Sequence, residues 1–158
     1  MKLIPLTKGY FTKVDDDDFK KFAIYRWFSR GSRNGIRPCR DGHNEGKIVN
    51  VSLYRLIMNA PKNMQVDHIN GDTLDDRKCN LRLCTASQNS QNRSKEKRNT
   101  SGFKGVSWDR RNKKWRAMIG HNNKMYYMGL FTDKIDAAKA YDQKAKELHG
   151  EFACLNFK

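Results

Sequence analysis

Four polar residues between positions 67 and 89 have the side chains and the spacing that hydrolysis of a phosphodiester requires. Asp67 directly precedes His68, Asn80 follows His68 by twelve positions, and Asn89 follows nine positions later. The imidazole of His68 can serve as the base that activates water, because its reference pKa is close to neutrality. Asp67 offers an anionic oxygen and Asn89 a neutral one, a pair of hard ligands that suits Mg²⁺ or Mn²⁺. Taken singly, these residues are typical of surface pairs, turns and helix caps, so the prediction depends on their order.

A strand, a loop, a second strand and a short helix are predicted to position these residues. Residues 64 to 68 and residues 81 to 84 are strand-like, and residues 69 to 78 form a polar loop with turn chemistry at Asn70-Gly71. The helix is expected to begin near Thr85 or Ser87, because both side chains are suitable N-caps.

The segment VDHINGDTLDDRKCNLRLCTASQNSQN resembles the HNH nuclease motif, specifically that of homing endonucleases. The resemblance implies a ββα-metal core over about residues 64 to 92. It also implies that His68 is the general base, that Asp67 and Asn89 hold Mg²⁺ or alternatively Mn²⁺, and that Asn80 orients the imidazole. Residues 51 to 58 resemble the strand that leads into this motif, where many members have histidine in place of Tyr54. Arg55 in that stretch is read either as a phosphate contact or as an ordinary surface arginine.

The composition indicates a polyanionic partner. Lysine and arginine number 32 against 17 acidic residues, which gives a net charge of +15 and a pI near 9.9. No apolar stretch is long enough to cross a bilayer, so nucleic acid is preferred over a membrane. The N-terminal sequence lacks secretory features, which predicts the cytoplasm of a bacterial or phage-infected cell. The four cysteines are then expected to be thiols, and their spacing does not suit a structural zinc site.

The first part of the chain is predicted to consist of short strands and turns with one helix. The acidic run from Asp15 to Asp18 suits the start of a helix over residues 18 to 27. Residues 36 to 40 and 47 to 53 are expected to form a hairpin around a turn at residues 41 to 46. Five arginines of this region are possible phosphate contacts: Arg26, Arg30, Arg33, Arg37 and Arg40.

A polar, charged linker over residues 93 to 100 is predicted to separate a nuclease domain, residues 1 to 92, from a second domain, residues 101 to 158. The second domain shows three strands over residues 103 to 108, 114 to 119 and 124 to 129, followed by a helix over residues 133 to 148 that stops at Gly150. The expected fold class is α+β: a mixed hairpin with a ββα-metal unit, a linker, and a three-stranded antiparallel sheet packed on one helix.

The second domain has its own resemblance. The segments SGFKGV, WRA, GLF, AAKAYD and LNF together resemble the DNA-binding domain of plant ethylene-response factors. In that family the sheet lies in the major groove. We therefore expect Trp108 and Tyr127 to face DNA, and Trp115 and Phe131 to pack under the helix. Base specificity is not carried over, because serine and aspartate stand where the family has arginines. The residues predicted to contact DNA are Arg55, Lys104, Arg110, Arg111, Lys113, Arg116, Lys124 and Tyr127.

These expectations favour a metal-dependent endonuclease that acts on double-stranded DNA as a monomer or weak dimer. The basic C-terminal module would select the location and the HNH unit would nick one strand, as in a phage or intron homing endonuclease. A non-catalytic, sequence-specific DNA-binding regulator is the alternative. An RNA-binding or zinc-stabilised scaffold protein is a third hypothesis that the charge allows.

Overall fold

The computed structural model describes residues 1–32, 35–44, 46–93, 95 and 99–157. Arg33 and half of the predicted linker, residues 94 and 96 to 98, lie outside these ranges. The chain divides into two compact units, Met1–Asn89 and Ser90–Lys158. Each unit combines helices with antiparallel sheet, which confirms the α+β class.

The first unit begins with a two-stranded ribbon and a short helix. Strands β1 (Lys2–Pro5) and β2 (Phe11–Val14) pair antiparallel, and helix α1 (Asp16–Phe22) follows. The helix was predicted over residues 18 to 27, but it starts earlier and ends at Phe22. The indole of Trp27 explains this end, since its Nε1 donates to the Phe22 carbonyl at 2.9 Å and the ring is buried in the core. Residues 23 to 27 therefore form the connection that carries Trp27 inward.

A three-stranded sheet follows, in the order β3 (Phe28–Ser32), β4 (Gly35–Asn44) and β5 (Lys47–Ser52). The predicted β4–β5 hairpin is confirmed, although its strands continue into the expected turn. Strand β3 was not predicted. Residues 53 to 57 form helix α2 (Leu53–Ile57) rather than the expected strand, because Leu53, Tyr54 and Ile57 bury one helical face against the core.

The motif forms the predicted strand, loop, strand and helix. Strand β6 (Gln65–His68) pairs antiparallel with β7 (Leu81–Cys84), and α3 (Ala86–Gln91) begins directly after Thr85. Thr85 caps this helix reciprocally with Gln88: the Gln88 N–H donates to the threonine hydroxyl at 3.2 Å, and the Thr85 N–H donates to the Gln88 side chain at 2.8 Å. The cap fixes the direction in which α3 leaves the ribbon.

The second unit is a sheet covered on one face by a long helix. Its strands are β8 (Val106–Asp109), β9 (Lys114–His121) and β10 (Lys124–Phe131), in the order β10-β9-β8, and all neighbours are antiparallel. Helix α4 (Lys134–His149) starts where the Asp133 carboxylate accepts from the Ile135 N–H at 2.8 Å, and Gly150 ends it with φ of 53°. Ile135, in the first turn of α4, is 41% exposed.

Candidate active site and nucleic-acid surface

His68 is held by a buried carboxylate from the motif loop. Its Nε2 lies 2.8 Å from Oδ1 of Asp76, and both side chains are buried. The ring of Tyr54, on α2, packs edge-on against the imidazole with 5.3 Å between centroids. The contact with Asp76 therefore engages the Nε2 nitrogen of the imidazole.

Asp76 is itself fixed from the N-terminal ribbon. Its Oδ2 accepts from the Thr12 hydroxyl at 2.9 Å, and its backbone N–H donates to the Lys13 carbonyl at 2.9 Å. Burial raises the pKa of Asp76, while the hydrogen bonds from His68 and Thr12 act in the opposite direction. The result is a buried chain from β2 to the imidazole. Sequence reasoning missed Asp76 and Thr12, because two adjacent aspartates in a polar loop give no sign that one of them is buried.

Asn80 stabilises the loop that carries Asp76. Its Oδ1 accepts from the Asn70 N–H at 3.0 Å, and its Nδ2 donates to the Asp75 carbonyl at 2.8 Å. The expectation that its amide orients the imidazole directly is therefore corrected: these bonds fix the loop backbone, and Asp76 contacts His68.

Asp67 and Asn89 are connected through the face of the β6–β7 ribbon that carries Gln65. Side chains alternate along a strand, so Asp67 shares its face with Gln65. Oδ2 of Asp67 accepts from Nε and Nη2 of Arg82 at 2.9 and 2.7 Å. The Asn89 amide donates to Gln65 Oε1 at 2.6 Å, which places α3 over this face. Neither Arg82 nor Gln65 was singled out from the sequence.

The oxygen atoms on this face are chemically suited to a hard divalent ion. Asp67 supplies a carboxylate, and the amide of Asn89 is oriented by its bond through Nδ2. Within the described ranges, no group of three or more His, Cys, Asp or Glu side chains could hold a metal ion. Asp67 and Asn89 would thus be two protein ligands of the ion, and water and phosphate would complete its coordination shell.

The guanidinium of Arg55 is engaged in hydrogen bonds to the backbone. It donates to the carbonyls of Met64, Ala60 and Pro61 at 2.9, 3.1 and 2.8 Å. These bonds fix the connection between α2 and β6. The interpretation of Arg55 as a phosphate contact is therefore replaced by a positioning role for the entry to the motif.

Arg116 and Tyr127 lie on the side of the C-terminal sheet that faces away from α4. Arg116 pairs with Ser107 and Leu130 on this face, and Tyr127 pairs with Met118. Tyr127 is 56% exposed, as expected for a residue available to DNA. The turn between β8 and β9 adds three exposed basic residues: Arg110, Arg111 and Lys113.

Three other residues expected at this surface lie elsewhere. Lys104 donates through Nζ to the Gln91 carbonyl at 2.7 Å, and burial lowers its pKa. Lys124 pairs with His121, which lies on the helix side of β9 by alternation. Trp108 pairs with Trp115, so it also lies on the helix side, and it is 44% exposed. Trp115 and Phe131 pack in the core as predicted.

Among the described residues, the four cysteines are free and no helix is long and apolar enough to cross a membrane. Cys39 and Cys84 are buried, Cys154 is half-buried and Cys79 is exposed.

Known proteins match both parts of the chain. The HNH endonuclease family model matches residues 59–91. Protein 3.8 of Escherichia phage T7 is 37% identical over 93 residues, which cover 59% of this chain and 76% of that protein. A protein of Acanthamoeba polyphaga mimivirus, named as an uncharacterized HNH endonuclease, is 31% identical over 152 residues, or 94% of this chain and 76% of that protein. An ethylene-responsive transcription factor of Arabidopsis thaliana is 39% identical over 62 residues, or 38% of this chain and 14% of that protein.

Proposed function

The chain belongs to the HNH endonuclease family, and we propose that it is a metal-dependent endonuclease that hydrolyses double-stranded DNA at the site around His68. One observation carries this proposal: the histidine of the family's motif is held by a buried carboxylate at 2.8 Å. A histidine that only filled space in a loop would not need a partner fixed from a strand more than sixty residues away.

The protein groups divide the work of hydrolysis. His68 takes the proton from the attacking water at Nδ1, while Asp76 accepts the Nε2–H and stabilises the charge that develops on the ring. Tyr54 packs against the ring and limits its rotation. Asn80 keeps the loop closed so that Asp76 stays in register with the imidazole.

Asp67 and Asn89 are the residues that would hold a divalent ion, which we propose is Mg²⁺, with Mn²⁺ as a substitute. When bound, the ion neutralises charge on the phosphate and on the leaving oxygen. Arg82 holds the Asp67 carboxylate in place through two hydrogen bonds to Oδ2.

Residues 101 to 158 are proposed to be a separate DNA-binding module, joined to a nuclease domain of residues 1 to 92. The exposed basic turn at residues 110 to 113, and the sheet face with Arg116 and Tyr127, support this role. The match to a plant transcription factor over 62 residues supports it as well. We further propose a phage or intron homing endonuclease inside an infected cell, which nicks one strand because one such site per chain cuts once.

Plasmid nicking with added Mg²⁺ tests the nuclease. Wild type should convert supercoiled DNA to the open circle, and chelation or His68→Ala should abolish the reaction. Asp67→Ala and Asn89→Ala should raise the Mg²⁺ concentration needed for half-maximal rate. Pure wild type that binds DNA and does not cut it with any divalent ion would favour the alternative, a non-catalytic regulator.

A binding experiment tests the module. Replacing Arg110, Arg111 and Lys113 with glutamine should weaken DNA binding and lower the slope of log Kd against log salt by up to about 2.7, since each phosphate contact contributes about 0.9. Replacing three exposed lysines of α4 provides the matched control for lost charge: Lys134, Lys139 and Lys146. Equal slopes in the two variants would reject the turn as a DNA contact.

A further inference from the structure

The sheet β3-β4-β5 presents two arginines that the family match over residues 59–91 does not include. Arg30 on β3 and Arg37 on β4 are direct cross-strand partners, so their side chains leave the same face of the sheet next to each other. Arg30 is exposed and Arg37 is half-buried. Two like charges placed directly opposite destabilise a sheet unless an anion lies between them.

Across the part of the chain that the structure describes, no ion pair joins Arg30 or Arg37 to a carboxylate. Arg37 donates through Nη1 to the Tyr54 hydroxyl at 3.4 Å, and its Nε is buried without a hydrogen-bond partner among the described residues. A buried N–H of this kind is costly unless a ligand satisfies it.

Arg37 is connected to the catalytic imidazole through the ring of Tyr54. The Arg37 guanidinium lies over the Tyr54 ring, 5.8 Å from its centroid, and the same ring contacts His68. The position of β4 relative to the motif loop is fixed by Thr73, whose hydroxyl donates to the Ile36 carbonyl at 2.7 Å. Arg37, Tyr54 and His68 therefore form a continuous series from the sheet to the base.

We propose that Arg30 and Arg37 form a phosphate-binding site for the backbone of the DNA strand that is cut. The chemistry of the two side chains indicates the ligand, because guanidinium groups donate pairs of hydrogen bonds that match the oxygens of a phosphodiester. A phosphate bound between Arg30 and Arg37 would also remove the repulsion between their charges. The inference rests on the proposed nuclease function and assigns part of its substrate contact to the N-terminal sheet.

DNA binding by the full chain tests this site without requiring cleavage. In a His68→Ala background, Arg30→Gln with Arg37→Gln is compared with Lys21→Gln and Lys47→Gln, which removes the same charge. Lys21 and Lys47 are exposed, and Lys47 lies on the opposite face of the sheet. The arginine variant should lose about 1.8 from the slope of log Kd against log salt, as expected for two phosphates. The lysine variant should keep the slope.

Two further measurements separate a ligand site from a structural role. The arginine variant should unfold at the wild-type temperature or above it, because the like-charge pair is removed; a lower unfolding temperature would indicate a structural contact to Tyr54 and overturn the proposal. Arg37→Lys keeps the point charge and should restore the slope.

The outcomes also separate this inference from the nuclease proposal. Equal slopes for the arginine and lysine variants reject the phosphate site even if wild type nicks DNA. A reduced slope with an inactive wild type supports the site and rejects the enzyme.

Discussion

Replacing Asp76 by asparagine should slow nicking without weakening DNA binding. The buried 2.8 Å contact between Asp76 and His68 is a hydrogen bond to a charged group. Such a bond is worth roughly 1.5–3 kcal/mol, and about 1.36 kcal/mol corresponds to tenfold in rate, so a loss of roughly ten- to 150-fold is expected. The amide can also donate to Nε2, which would leave the proton on Nδ1 and remove the base. The upper end of the range is therefore favoured.

Single-turnover nicking at saturating DNA isolates the chemical step, and binding measured in chelator shows whether affinity changes. Asp75→Asn is the matched control, because Asp75 is the adjacent, equally buried aspartate and contacts Arg77 rather than His68. The control should cut within a few-fold of wild type once corrected for the folded fraction.

A double-mutant cycle shows whether Asp76 affects the nicking rate through His68. If Asp76 acts through His68, adding Asp76→Asn to His68→Ala should cause no further loss of rate. Wild-type nicking by folded Asp76→Asn would refute the reasoning. An additive loss in the double variant would also refute it, because Asp76 would then act on something other than the imidazole.

Two further predictions concern stability. Hydrogen bonds from Arg77 lower the pKa of Asp75 below its ordinary 3.8, against the effect of burial. The Asp75 carboxylate therefore stabilises the fold at pH values above 3.8, and this stabilisation is lost as the pH falls through the lowered pKa. The Tm difference between wild type and Asp75→Asn should accordingly shrink between about pH 5 and pH 2. Gly105→Ala should lower the Tm of the second unit by several degrees, because the added Cβ would overlap the Tyr141 ring and the backbone φ of 73° is unfavourable for alanine. An unchanged Tm in calorimetry would contradict this prediction.

The motif elements were predictable because their signals are local. Strand β6 and strand β7 flank a polar loop with turn residues, and the Thr85 side chain marks the start of α3. The same is true of α4, whose buried alanines and Tyr141 recur at helical spacing and whose ends are set by Asp133 and Gly150.

Other features depend on partners that are distant in the sequence. Helix α2 spans only five residues, too few for apolar periodicity to separate helix from strand. Trp27 ends α1 by a bond to Phe22 that no helical pattern reveals. The role of Asp76 depends on Thr12, 64 positions earlier in the chain. The placement of two lysines depends on distant partners as well. Lys104 and Lys124 were counted among the DNA contacts, but Lys104 donates to the Gln91 carbonyl and Lys124 pairs with His121.

The hydroxyl of Thr12 and the carbonyl of Lys13 make the functional unit longer than the recognisable motif. A fragment that starts at residue 59 would retain Asp67, His68, Asn80 and Asn89, yet it would lose both groups that hold Asp76. Anyone who transplants this nuclease into a fusion protein should therefore place the junction before β1. The segment that the family model matches is a signature of the family, and the N-terminal ribbon is part of its scaffold.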